Sequence, residues 1–161
     1  MAKASRTSPP LPYVALFLAW LVPGAGHAYL GRMRRGLIVF VTISALFWAG
    51  VAIGGVFTVD YYNERWWFVA EMFTGIHGLV GWHRQRDMYA RLRRVEGDSE
   101  DEKMRNAGVA LVAPADNVAR AYAGVAGLLN LMCMFDALML SVMGVTGEAE
   151  REGDAAEGKR T

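Results

Sequence analysis

Residues Leu21–Phe40 read LVPGAGHAYLGRMRRGLIVF. An apolar run stops at Pro23-Gly24-Ala25-Gly26, passes His27 and Tyr29, and meets a basic knot of Arg32, Arg34 and Arg35. A second apolar run starts at once from Gly36. A tight reversal at a membrane surface between two hydrophobic helices accounts for this order. Glycine permits the turn, and arginines hold it among lipid headgroups. The fold expected from this stretch is all-α, a polytopic transmembrane helical bundle of 3–4 spans with a basic amphipathic interfacial segment.

Reading outward, residues 1–12 are polar and proline-rich and form a disordered N-terminal lead. Residues 13–95 are expected as a membrane domain with hydrophobic helices at about 13–30, 36–57 and 66–82 and a basic amphipathic segment at 83–95. The helix over 36–57 has 22 uncharged residues, about 33 Å, enough to cross a bilayer. The helix over 13–30 is about 27 Å and contains Pro23. A signal-peptide cleavage site at 25–28 is disfavoured, because the Pro-Gly-x-Gly run continues into the next helix. The polar loop at 58–65 carries Asp60, Glu64 and Arg65 among Tyr61, Tyr62, Trp66 and Trp67, the pattern of an interfacial aromatic belt. The stretch 83–95 reads HRQRDMYARLRRV, with Met88, Leu92 and Val95 on one helical face. Its arginines, Arg84, Arg86, Arg91, Arg93 and Arg94, are candidate lipid-headgroup contacts. Residues 96–117 open with EGDSEDE and read as an acidic flexible linker. A last transmembrane helix follows at 118–145, and residues 146–161 read as a disordered charged tail. The bias of basic residues toward the cytoplasm puts both Arg32–Arg35 and the arginines at 84–94 on the inner side.

Composition restricts function. The net charge of +1 argues against nucleic-acid binding by bulk charge. One cysteine, Cys133, excludes an intrachain disulfide framework. No pair among His27, His77, His83 and Cys133 has i, i+3 or i+4 spacing, so no metal and no cofactor is expected. There is no nucleophile–base motif and no phosphate loop, so the chain is not expected to be an enzyme.

The run Pro23-Gly24-x-Gly26-x-x-Tyr29-Leu30-Gly31-Arg32 resembles the signature of the two-transmembrane-helix domain family and of related small bacterial membrane proteins. In those a glycine-rich Tyr-Leu-Gly-Arg turn joins hydrophobic helices, and a later helix carries an aspartate. Leu128–Leu138, LLNLMCMFDAL, looks like that later piece, with Asp136 at the acid. The Asp-Arg-Phe motif common between the two helices is absent, and a whole helix and a charged loop intervene. The resemblance implies an integral membrane protein of the bacterial inner membrane, multi-pass, with no established activity.

The remaining candidates are the polar groups inside the apolar runs: Glu71, His77, Asn130 and Asp136. Such groups are costly in a bilayer and mark function or interhelical hydrogen bonding. One reading is a proton or cation relay through Glu71, His77 and Asp136. The other is packing, with Asp136 bonded to a backbone group or to Tyr29. Gly50 and Gly54, the Gly75/Gly78/Gly81 edge, and the stripe Ala119, Ala123, Gly127 offer close helix contacts. The leading expectation is therefore a non-enzymatic structural or partner-binding membrane module. Its partners would be the lipid bilayer, including anionic lipids, and a membrane protein partner or a second copy. The alternative is a small transport or ion/proton-translocating component using Glu71 and Asp136.

Overall fold

The computed structural model describes residues 10–59, 61, 65–99, 102–103, 106 and 116–147. Residues 1–9, most of the acidic linker and the tail beyond 147 lie outside them. So do Asp60, Tyr62, Asn63 and Glu64 of the expected aromatic loop. Among the described residues the regular structure is entirely helical. The main helices are α1 (Pro12–Leu21), α2 (Ala25–Tyr29), α3 (Met33–Gly54), α4 (Arg65–Met72), α5 (Ile76–Leu92) and α6 (Asp116–Val142). A 3-10 turn, Gly55–Thr58, follows α3.

Two of these helices, α3 and α6, are long and apolar enough to cross a membrane. They lie antiparallel. Near one end, Gly50 packs on the backbone of Ala119 and Ala123. At the other end Arg35 of α3 reaches Asp136 of α6.

The helix expected over 13–30 is broken. Pro12 starts α1 in the first-turn position that proline favours. Pro23 then forces the preceding Val22 into extended backbone, φ −132° and ψ 118°. Gly24 turns the chain with φ +81°. Helix α2 then doubles back along α1. A Cβ on Gly26 would lie 2.5 Å from the Ala15 carbonyl oxygen, and the Tyr29 hydroxyl accepts a hydrogen bond from the Leu11 amide at 3.3 Å. The ten residues of α1 rise about 15 Å, half the hydrocarbon thickness of a bilayer.

The helix expected over 66–82 is broken too. It stops at Met72, turns through Phe73 and Thr74, and restarts after Gly75, which has φ +62°. Gly75 is held against the carbonyl oxygens of Trp20 and Leu21, where a side chain has no room. Helix α5 then returns along α4: Gly78 sits on the Glu71 carbonyl, and the Phe68 and Trp82 rings are 6.2 Å apart. No separate helix begins at 83, since α5 runs unbroken through the first ten residues of the basic segment.

The result is two helical hairpins entering the α3/α6 pair from opposite ends. The first starts where α6 finishes: the Ser141 hydroxyl donates to the Pro10 carbonyl at 3.2 Å. The second starts where α6 begins: Gly124 faces the Trp67 ring and Gly127 the Ala70 carbonyl. Their tips meet, with the Trp20 indole N–H donating to the Met72 carbonyl at 3.2 Å. Each half of the chain thus repeats one plan of short helix, glycine turn, returning arm and long helix. The second copy runs the other way.

This arrangement separates the two basic clusters that the charge bias put together. A hairpin returns to the end it entered from. Gly81 lies against Val59 and Arg84 over Trp48, so the arginines at 84–94 leave from the end where α3 terminates. Arg32–Arg35 stand at the opposite end. The C-terminal end of α6 is beside Arg35, and the Gly147 amide donates to the Leu30 carbonyl at 2.8 Å.

Two apolar clusters fill the bundle. One joins Ala15, Ala19 and Leu30 to Met134, Ala137 and Leu140. The other joins Ile43, Phe47 and Val59 to Ala123 and Ala126. Asn130 of α6 lies between them in sequence, where the hairpin tips meet.

Candidate functional site

Among the buried polar side chains two centres stand out, one in each hairpin, with Asn130 at the meeting of the hairpin tips. The first centre is at the foot of hairpin one. Asp136 Oδ2 is 2.8 Å from His27 Nε2 and 3.0 Å from Arg35 Nη2. His27 is buried, whereas Asp136 and Arg35 are partly open to the surroundings. The turn motif builds this centre. Gly24 lies so close to the Gly36 carbonyl that neither position tolerates a side chain, and this draws α2 onto α3. His27 and Arg35 are thereby carried toward the same carboxylate. A buried imidazole sharing a carboxylate with an arginine is a charge-assisted contact, stronger than a neutral hydrogen bond.

Sequence reasoning offered Tyr29 or a backbone group as the partner of Asp136. Tyr29 is instead engaged by the Leu11 amide. The pairing with His27 spans 109 positions. The usable signal was a lone acid in a long apolar run, which needs a cation nearby, and the arginines of the basic knot were the available cations. Within that motif Pro23, Gly26 and His27 are buried and Arg32 is half-buried. Gly31, with φ +78°, adjoins Gly147.

The second centre belongs to hairpin two. His77 Nε2 is 3.0 Å from the Ser44 hydroxyl of α3. Three aromatic rings, Phe40, Phe47 and Trp48, surround the imidazole at centroid distances of 6.1, 5.9 and 6.3 Å. Glu71, on the entering arm, is fully buried, as is Gln85 farther along α5. Ser44 and Gln85 carried no signal in the sequence, since single hydroxyl or amide groups are common in membrane helices. The two centres are related by the repeat. His27 follows the first turning glycine and contacts the long helix of the second half. His77 follows the other turning glycine and contacts the long helix of the first half.

Asn130 joins the two hairpin tips. Its amide N–H groups reach the Ala19 carbonyl at 3.1 Å and the Phe73 carbonyl at 2.7 Å. These are carbonyls at the ends of the two broken helices, where intrahelical partners run out. The small-residue edges are used in the same packing. Gly50 and Gly54 meet Ala119, Gly127 meets α4, and Gly78 and Gly81 meet α4 and Val59.

The five candidate headgroup arginines are exposed. Two of them lie over indole faces, Arg84 at 5.7 Å from the Trp48 ring and Arg86 at 5.2 Å from Trp82. On the inner face of α5, Gln85 and Leu92 are buried and Met88 half-buried. Among the described residues no group of three or more His, Cys, Asp or Glu side chains is placed to hold a metal.

No curated protein and no solved structure matches the chain. A profile of one protein family does match, over residues 14–150, a span that takes in both hairpins and both long helices. The two-transmembrane-helix domain family suggested by the turn is not the one matched. On that match the chain belongs to the family of unknown function DUF6677.

Proposed function

We propose that this chain is a non-enzymatic integral membrane module, held in the bilayer by α3 and α6, that works by packing against lipid and membrane partners. The observation that carries this is the outward face of the two long helices. In their most apolar windows only 22% of α3 and 39% of α6 is buried inside the chain. Leu37, Ile38 and Val41 of α3 and Met132, Phe135 and Met139 of α6 are exposed. A core helix of a water-soluble domain would be mostly covered, and apolar surface of this extent calls for a covering phase. Acyl chains supply it. Because the glycine and alanine edges are already used within the chain, a membrane partner would meet these larger apolar side chains instead. At the far end Arg91, Arg93 and Arg94 are exposed, and on this reading they meet anionic headgroups.

The test is extraction of cell membranes containing the full chain. The expected result is retention in the membrane pellet after alkaline carbonate and release only by detergent. Release by carbonate alone would refute the proposal. Binding of the purified chain to vesicles with and without anionic lipid then tests the arginines. Replacing Arg91, Arg93 and Arg94 by Gln should remove the preference for anionic vesicles and leave insertion intact.

A further inference from the structure

Of the ten largest fully buried side chains, six are polar: His27, Gln85, Glu71, Asn130, Thr58 and Thr74. Three of these, Glu71, Thr74 and Asn130, belong to the junction where the hairpin tips meet. Asn130 is about 21 Å from the start of α6 and about 18 Å from its end, so the junction is near mid-depth.

Backbone oxygens gather at this junction. The last carbonyls of a helix have no intrahelical donor, and α1 and α4 both end here. Pro23 has no N–H to offer the Ala19 carbonyl four residues before it. The Trp20 and Leu21 carbonyl oxygens lie against Gly75. The Met72 carbonyl accepts the Trp20 indole N–H, and the Phe73 carbonyl accepts from Asn130.

Asn130 shows what these oxygens lack. Both of its N–H donors are spent, one on the Ala19 carbonyl and one on the Phe73 carbonyl. This fixes how the amide is turned, because its oxygen only accepts and cannot bond either carbonyl. The oxygen, Oδ1, is thereby left in the junction, buried and with no hydrogen-bond partner among the described residues. The Thr74 hydroxyl does not serve it, since that O–H is donated to the Glu71 carbonyl at 2.6 Å. A buried polar atom without a partner needs a physical explanation. For an acceptor left among acceptors, a cation supplies one. The ends of broken helices, meeting at mid-depth inside an inverted repeat, are where membrane proteins hold small cations.

We propose that the hairpin junction is a sodium site, in which Asn130 Oδ1 and the carbonyls that end α1 and α4 hold one small monovalent cation and Glu71 supplies the counter-charge. It rests on the membrane placement argued above. Glu71 is fully buried in the last turn of α4, next to Met72 in the chain. One carboxyl among neutral oxygens balances a single positive charge, whereas divalent calcium takes more oxygens and usually several carboxylates. Amide, carbonyl and carboxyl oxygens are hard ligands, suited to such an ion and not to a thiophilic metal. The backbone contact of Gly75 with Trp20 and Leu21 keeps the tips close, which suits a compact ion.

The experiment melts the purified full chain, freed of sodium in dodecyl maltoside, in chlorides of sodium, potassium and choline at equal ionic strength. Tryptophan fluorescence follows unfolding. The midpoint should be higher in sodium than in choline, by about 5–10 °C once sodium is about a hundredfold above its dissociation constant, with potassium in between. Glu71→Gln should remove this increment, and Leu128→Ala should keep it. Equal midpoints in the three salts overturn the proposal, and the membrane placement then stands or falls on carbonate extraction of the same chain. Release by carbonate refutes that placement and the inference with it. A sodium increment kept in full by Glu71→Gln overturns the assignment to this junction. A midpoint that follows pH and not the salt means that a proton-bearing group meets Asn130 Oδ1, which overturns it as well. If Glu71→Gln does not fold, radioactive sodium is bound to the wild type; binding displaced by unlabelled sodium but not by choline is expected, and its absence overturns the proposal.

Discussion

Replacing Asn130 with Leu should loosen the meeting of the two hairpins. Leu keeps the branched shape and removes the amide. Two hydrogen bonds are lost, to the Ala19 carbonyl at 3.1 Å and the Phe73 carbonyl at 2.7 Å. In membrane proteins such bonds contribute about 0.6 kcal/mol each on average, and up to about 1.7. The larger cost is what remains. The Ala19 carbonyl stays buried and the Phe73 carbonyl part-buried without this donor, at about 1–3 kcal/mol each with the Phe73 carbonyl at the lower end. The apolar gain from Leu offsets part of this, so the expected loss is about 2–4 kcal/mol. The assay is unfolding in mixed micelles titrated with sodium dodecyl sulfate, followed by tryptophan fluorescence. Trp20 is a direct reporter, because its indole is bonded across the junction to Met72. Leu128→Ala, on the exposed face of α6, is the control and should change stability by less than about 0.5 kcal/mol. If Asn130→Leu behaves like that control, the amide does not hold the tips together and the reasoning fails.

Four further outcomes follow from contacts described above. Gly75→Ala should abolish folded protein on size exclusion in detergent, because its Cβ would enter the Trp20 carbonyl; Gly55→Ala has open space but a glycine-favouring backbone, φ +71° and ψ −157°, and should fold with a loss of about 1–3 kcal/mol. Asp136→Asn should cost about 1.5–3 kcal/mol in the same micelle titration, since a charge-assisted bond to buried His27 is weakened. Arg35→Gln should cost less than about 1 kcal/mol, because the guanidinium is about half exposed. Removing the Arg86 stack with Arg86→Gln should cost about 0.5–1 kcal/mol and shift the Trp82 emission, which Arg91→Gln leaves unchanged.

The long helices were legible in the sequence because length and lack of charge decide them. The β-branched content of Gly36–Phe57 also suits a strand, but its length decides for one long helix, and the structure places α3 over Met33–Gly54. The last helix was bounded within a few residues of Asp116–Val142. The hairpins were not legible. Pro23-Gly24 and Thr74-Gly75 are tolerated inside membrane helices as kinks, and composition alone does not tell a kink from a reversal. What tells them apart is the partner: Gly75 stands where only backbone fits against Trp20, 55 positions earlier. The two basic clusters stand at opposite ends of the bundle, not at one end as expected, because counting basic residues assumes that every apolar segment crosses. Glu71, His77, Asn130 and Asp136 could be named from their rarity in apolar runs. Their partners His27, Arg35 and Ser44 arise from chain reversals that a linear reading does not contain.

The most direct test of the two opposed hairpins is cysteine accessibility in intact cells, in a Cys133→Ala background. Single cysteines are placed at Arg34 and Gly147, beside the foot of hairpin one, and at Tyr61 and Arg93, at the other end. The account predicts that Arg34 and Gly147 label from one side of the membrane and Tyr61 and Arg93 from the opposite side. Labelling of Arg93 from the same side as Arg34, with Tyr61 opposite, would mean that α4 and α5 cross the bilayer, and would contradict it.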